Sequence, residues 1–235
     1  MIDTAMVMAA GHGTRMRPLT DNRSKAMVKV ASRPLIDHML DRLAEAGIKK
    51  AVVNVHAHAD QLERHLKRRE TGPEIFISDE REALLETGGG VVKALPLLGI
   101  GPVLICNIDA IWTENIPVIP ALLDAWDHAR MDDLLLLAPM HMAMGYNGLG
   151  DFDLGDDGRL TRRSGKTAPY VYAGVQIADL TPFHSLKPTK FSRNLVWNDS
   201  LVARRMFGHV MDGFWMHVGD PQAKKVSEAY LKARG

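Results

Sequence analysis

Apolar runs of strand length alternate with amphipathic stretches along most of the chain. IDTAMVM reads as a buried strand and leads directly into Ala10, Gly11 and Gly13, where the backbone must turn sharply. Apolar residues at Leu35, Ile36, Met39, Leu40 and Leu43 repeat at helical spacing and predict a helix from Leu35 to Ala46, with Gly47 as its stop. AVVNVHA follows as a strand, Ala59 to Arg69 as a charged helix and EIFISDE as a short strand. LETGGGVVKALPLL reads as a loop entering a helix, and PVLICNID as a buried strand ending in polar groups. Farther on, Asp132 to Pro139 is a strand. The segment MHMAMGYNGLGDFDLGDDGRL combines a methionine-rich loop with alternation and a DDG turn, an antiparallel excursion. PYVYAGVQIAD is a further strand, and helices are expected at Asn198 to Met206 and Pro221 to Ala233. Alternating strands and helices imply a largely parallel sheet covered on both faces, whose ligands sit beyond the carboxyl ends of strands. The glycine turn and Asn107 to Asp109 both fall there. No linker or repeat divides the chain, so residues 1–235 are read as one domain.

Composition narrows the partners. With 235 residues, 46% of them hydrophobic and 24% charged, the chain can bury a sizeable core. A net charge of +1 argues against a general nucleic-acid or membrane surface, which makes the cations after the first glycines a local feature with a small target. The single cysteine, Cys106, excludes an internal disulfide framework. The first apolar stretch is too short for a signal peptide or a membrane span, so a soluble, cytoplasmic chain is expected.

Residues 8 to 25, MAAGHGTRMRPLTDNRSK, carry the strongest chemical signal. Glycines after a strand let backbone N–H groups approach an anion, Arg15 offers a fixed-charge fork, and Lys25 a mobile point charge able to follow a phosphoryl group. The dinucleotide fingerprint would need glycine where Met16 stands, and the P-loop pattern is absent. His56 and His58 lie at strand spacing without the carboxylates of a zinc site, and Met140, Met142 and Met144 read as an adaptable apolar wall.

These residues resemble a known family. Met8 to Thr20, Ser24-Lys25 and Pro34-Leu35-Ile36 are similar to the signature of the sugar-phosphate nucleotidyltransferases. The likeness continues through Leu85 to Gly90, Asn107-Ile108-Asp109, Gly150-Asp151-Phe152, Tyr172 to Val175 and Trp215 to Gly219, and so spans nearly the whole chain. It is strongest toward the short N-acetylmuramate α-1-phosphate uridylyltransferases, through LETGGG and GDF. The resemblance implies a single-domain, Rossmann-like three-layer αβα sandwich around a mostly parallel mixed sheet. It also implies Mg²⁺-assisted transfer of a nucleotidyl group from a nucleoside triphosphate, UTP by this likeness, to a sugar 1-phosphate.

On that basis Arg15 takes the β- and γ-phosphates and Lys25 the α-phosphate and the incoming phosphate, with Ala10, Gly11, Gly13, Thr14, Gly88 and Asn107 around the nucleotide. Asp151 and Gly174 fall to the sugar and Asp109 to the metal. Three positions depart from the family pattern: Ser24 replaces a proline, Ile108 a glycine, and His217 stands where many relatives carry an aspartate. His217 is a possible second ligand, though imidazole suits Mg²⁺ poorly. Asp220 before Pro221 is as well explained as a helix cap. Mannose 1-phosphate with GTP, phosphocholine with CTP, and a nucleotide-binding homologue without catalysis remain open, and a monomer or weak dimer is expected.

Overall fold

The computed structural model describes residues 2–234. In chain order the elements are β1 (Thr4–Met8), β2 (Lys29–Val30), β3 (Arg33–Pro34), α1 (Leu35–Glu45), β4 (Lys50–Val55), α2 (Ala59–Leu66), β5 (Glu74–Asp79), α3 (Glu86–Leu98), β6 (Val103–Asn107) and β7 (Ala110–Glu114). They continue with α4 (Val118–Asp124), β8 (Asp133–Pro139), β9 (Ala143–Met144), β10 (Phe152–Leu154), β11 (Leu160–Arg162), β12 (Tyr170–Ala178), α5 (Asn194–Val202), β13 (Met206–Val210), β14 (Gly213–His217) and α6 (Pro221–Lys232).

The main sheet runs β5-β4-β1-β6-β12-β8-β13. Its first four strands are parallel, whereas β12 is antiparallel to both β6 and β8, which makes the sheet mixed. The β10–β11 hairpin is the predicted excursion and attaches to the start of β12 through Phe152 and Tyr170. Side chains alternate between layers: Ala5 and Val7 of β1 join the cluster containing α1, α2 and α4, while Met6 packs with α3 and with Val196 of α5. The central strands are buried on both faces, which is why they read as nearly unbroken apolar runs. No helix among the described residues is long and apolar enough to cross a membrane.

Three features differ from the expectation. Helix α3 starts at Glu86, so Gly88, Gly89 and Gly90 lie inside its first turns and not in a loop. Helix α5 begins at Asn194, and Met206, expected as helix, opens β13. β7, β14 and β9 form a separate small sheet that carries His217 to the carboxyl edge of the main one.

One buried acid sits apart from the loops at that edge. Asp133 accepts hydrogen bonds from Gln176 Nε2 (2.7 Å) and Ser200 Oγ (2.6 Å), yet burial dominates and pushes its carboxyl up to about 7. A carboxyl raised above its unfolded value contributes stability below about pH 4 that is lost as pH climbs through 7. Urea denaturation of the wild type and Asp133→Asn at pH 4.5 and 7.5 should show the wild type losing on the order of a few kcal/mol more than the variant. Equal losses would contradict this account.

Candidate active site

Three chain crossings converge beyond the carboxyl ends of β1, β6 and β14. At the first, Ser24 caps the short turn Lys25–Met27: its Oγ accepts from the Ala26 N–H (3.3 Å), and its own N–H donates to Gln61 Oε1 (3.2 Å). The serine that replaces proline thus fixes the turn presenting Lys25. Lys25 Nζ donates to Asp109 Oδ2 at 2.7 Å, and His217 Nε2 lies 3.3 Å from the same oxygen. The Lys25 and Asp109 side chains are only 13% and 19% exposed, so little solvent screens the pair. Burial is the largest influence on Asp109 and would raise its carboxyl. The Lys25 charge and the His217 hydrogen bond outweigh it and hold the group well below the usual carboxylate range.

His217 is held in place. Its ring stacks on Trp215 with centroids 5.7 Å apart, Nδ1 lies 3.3 Å from the Gly145 carbonyl, and the Val218 N–H donates to the Asp109 carbonyl at 2.8 Å. Both ring nitrogens therefore face oxygen acceptors, and the one toward the site is engaged with Asp109, an orienting arrangement rather than an open ligand position. Asp220 caps α6 by accepting from the Ala223 N–H at 2.8 Å.

Beside this cluster lies a cleft of about 430 Å³ whose lining includes Ala10, Gly11, Lys25, Thr87, Asn107 and Asp109. Gly11 has open space where a Cβ would be, while Gly13 is left-handed (φ 64°) and a Cβ there would sit 2.9 Å from Lys25 Cβ. Gly11 leaves room in the cleft, and Gly13 lets the loop fold against Lys25. Thr14 and Arg15 are exposed on the following turn, and no carboxylate lies within 4 Å of Arg15 among the described residues.

No motif marks the pair that joins the two walls of this cleft. Asn54 Oδ1 accepts from the N–H groups of Ala9 (2.7 Å) and Ala10 (3.2 Å), and Asn54 Nδ2 donates to Glu80 Oε1 (2.7 Å). Glu80 Oε2 in turn accepts from the Leu85 N–H (3.0 Å) at the start of α3. Asn54 is 1% exposed and Glu80 not at all, so the glycine loop and the α3 turn are tied through one buried network. A lone asparagine inside the apolar run AVVNV was the available signal. Glu80→Gln would set an amide donor against one of these donors. It should destabilise by about 1–3 kcal/mol and raise the KM for the substrate held in this cleft more than it lowers kcat, measured by urea denaturation and steady-state kinetics.

Gly88 is packed against the segment that carries Phe191. Its N–H donates to the Phe191 carbonyl (2.9 Å), and a Cβ on it would collide with the Phe191 ring, so Gly88 lies behind the wall that Thr87 presents. Gly174 (φ 86°) faces the cleft's edge, its missing Cβ 3.4 Å from Asn107 Cβ. Asp151 has both oxygens engaged: Tyr146 OH donates to one and the Tyr172 N–H to the other, each at 2.9 Å. It secures the hairpin to β12, and its capacity toward a ligand is reduced accordingly.

Known proteins are similar to this chain in sequence and in fold. The pattern of the nucleotidyl transferase family matches residues 4–144. The chain is 49% identical to the N-acetylmuramate alpha-1-phosphate uridylyltransferase of Caulobacter vibrioides, over 97% of this chain and 96% of that one. It is 32% identical to the protein of the same description from Neisseria meningitidis serogroup B, over 97% and 98%. Its fold matches a UDP-glucose pyrophosphorylase complexed with UDP-glucose at a TM-score of 0.80, 16% identity and full coverage of both chains. The chain belongs to the nucleotidyl transferase family and is an enzyme of nucleotidyl transfer.

Proposed function

We propose that the enzyme joins N-acetylmuramate α-1-phosphate to UTP, giving the UDP-sugar and pyrophosphate. A phosphate oxygen of the acceptor forms a bond to the α-phosphorus as the bond to the pyrophosphate oxygen breaks in line. The nucleophile is already anionic, so the protein must supply position and positive charge and no strong base. The observation that carries this reading is the Lys25–Asp109–His217 cluster beside an open glycine loop. Lys25 neutralises charge at the α-phosphorus, and its short contact to Asp109 keeps Nζ at the mouth of the cleft. Arg15, exposed and with no carboxylate within 4 Å among the described residues, meets the outer phosphates. Gly11 and Ala10 bring backbone close to the triphosphate, with Thr14 beside them on the following turn, and Asn107 and Thr87 border the nucleoside.

The donor set fits Mg²⁺. Asp109 is held anionic, its Oδ2 is occupied by Lys25 and His217, and Oδ1 is left for a cation that takes its remaining oxygens from phosphates and water. Bound there, Mg²⁺ would supply Lewis-acid stabilisation of the crowded phosphate charge. His217 orients the carboxylate and is not assigned as a ligand. The choice of uracil and of the muramate acceptor is supported by the similarity to the two uridylyltransferases.

The test is a pyrophosphate-release assay crossing UTP, GTP, CTP, ATP and dTTP with N-acetylmuramate, N-acetylglucosamine, glucose and mannose 1-phosphates and phosphocholine. Release concentrated on UTP with N-acetylmuramate 1-phosphate is expected, with the nucleotide sugar identified by mass. Preference for another pair would replace these substrates, and triphosphate binding without release against every acceptor would overturn the reaction.

A further inference from the structure

A second depression lies on the far side of the segment Ser192–Asn194: Ser192 lines the cleft already described, and Asn194 lines this one. It encloses about 370 Å³ and is walled by Phe152, Tyr172 and Trp197, with Arg162 and Arg163 beside Asp151. Arg162 is pre-positioned. Its Nη2 donates to Asn198 Oδ1 (3.0 Å) and Asn194 Oδ1 (3.3 Å), its guanidinium lies 5.7 Å from the Phe152 ring centroid, and Nη1 and Nε have no partner among the described residues. Arg163 Nη1 donates to the Lys166 carbonyl at 2.8 Å. Neither arginine has a carboxylate within 4 Å among the described residues, and the carboxylate of Asp151 is spent on Tyr146 and Tyr172.

Behind the wall lies a third guanidinium. Arg193 is 4% exposed and lies between the Tyr172 and Trp197 rings, 5.6 and 5.0 Å from their centroids. Its Nη2 donates to Tyr172 OH at 3.0 Å, while among the described residues Nε and Nη1 are buried without partners, as is Trp197 Nε1. The Arg193 charge acts on the buried Asp133 carboxyl on the other side, and its free N–H groups are left over for a further acceptor.

Strand β12 connects this pocket with the reaction site. Gly174 abuts Asn107 of the cleft, and Tyr172, two residues back, lies about 7 Å along the strand. The pocket and the edge of the reaction cleft thus share one strand, with Ser192 and Asn194 on either side of Arg193. We propose that this pocket is the subsite for a carboxylate carried by the acceptor sugar phosphate, with Arg162 as the group that reads it. A guanidinium fork matches a planar carboxylate with two parallel hydrogen bonds, and the aromatic walls suit an apolar linker between ring and carboxylate. This rests on the reading of the acceptor as a sugar phosphate, and it explains how a lactyl-bearing sugar is told from its neutral counterpart.

The experiment compares N-acetylmuramate 1-phosphate with N-acetylglucosamine 1-phosphate in the wild type, Arg162→Ala and Arg162→Lys. Alanine should raise the KM for the muramate substrate about 10- to 100-fold and lower the preference between acceptors by the same factor, with the KM for UTP within about twofold. Lysine should restore part of the preference, having charge without the fork. An unchanged preference, or an equal loss on both acceptors, would overturn the proposal. If the wild type turns over neither substrate, the uridylyltransferase reading has failed, and binding of N-acetylmuramate itself followed by NMR decides the pocket. Shifts abolished by Arg162→Ala support it, and no binding to the wild type overturns it.

Discussion

Lys25→Ala should lower kcat/KM by about 10²–10³-fold, most of it in kcat, because an ammonium close to the transferring phosphoryl group acts chiefly on charge that develops during reaction. Removing it takes away the nearest cation to Asp109, 2.7 Å distant, and leaves that carboxylate with His217 alone. Single-turnover measurements at saturating UTP should retain the deficit, since the loss is in the chemical step. A variant that loses only triphosphate affinity, with kcat intact, would show that Lys25 binds and does not assist transfer. Lys25→Arg should recover little: the planar guanidinium is larger, and its fork does not reproduce a single short contact to one carboxylate oxygen. Thermal melting of each variant separates these effects from misfolding.

Asp109→Asn should be comparably damaging, about 10²–10³-fold in kcat, by removing the anion that orients Lys25 and His217 and provides the oxygen assigned to Mg²⁺. Its stability has a defined pH signature. A carboxylate depressed below its unfolded value of about 3.9 contributes stability that is fully present above that value and is lost only as pH falls below it. The deficit of the variant in urea denaturation should therefore be present at pH 5 and shrink below about pH 4. A deficit that stayed unchanged from pH 5 down to pH 3 would mean that Asp109 is not held ionised by its neighbours. In the same variant, Mg²⁺ should no longer add to the rise in melting temperature produced by UTP, whereas in the wild type it does.

The layers of this fold could be read from the chain because buried parallel strands announce themselves as apolar runs, and α1 because Leu35, Ile36, Met39, Leu40 and Leu43 follow one helical face. Helix α5 could not. Leu195, Val196 and Trp197 are adjacent and not spaced, and Leu195 and Val202 remain exposed, so no apolar stripe marks where it begins. The loops carrying Lys25 and Asp109 were visible as motifs, but their meeting depends on β1 pairing with β6 and on the small sheet that delivers His217. Gly88 shows where the sequence stops: the glycine was evident, whereas Phe191, whose ring stands where a Cβ would be, is remote in sequence. Glu80 reads as one more charge at the end of a strand until the fold buries it against Asn54.

Glycines that look alike in the sequence are under two unlike pressures. Gly88 and Gly89 are pressed against Phe191 and the Thr189 carbonyl, whereas among the described residues no atom lies within 4 Å of where a Cβ would stand at Gly11. The first pair is policed by the fold, and any library screened for soluble, heat-resistant protein will reject changes there. Gly11 is policed only by what enters the cleft, so the same screen will pass its substitutions and accumulate inactive enzyme unnoticed. Surveying this chain by melting temperature alone would map its scaffold faithfully while leaving the floor of the active site blank.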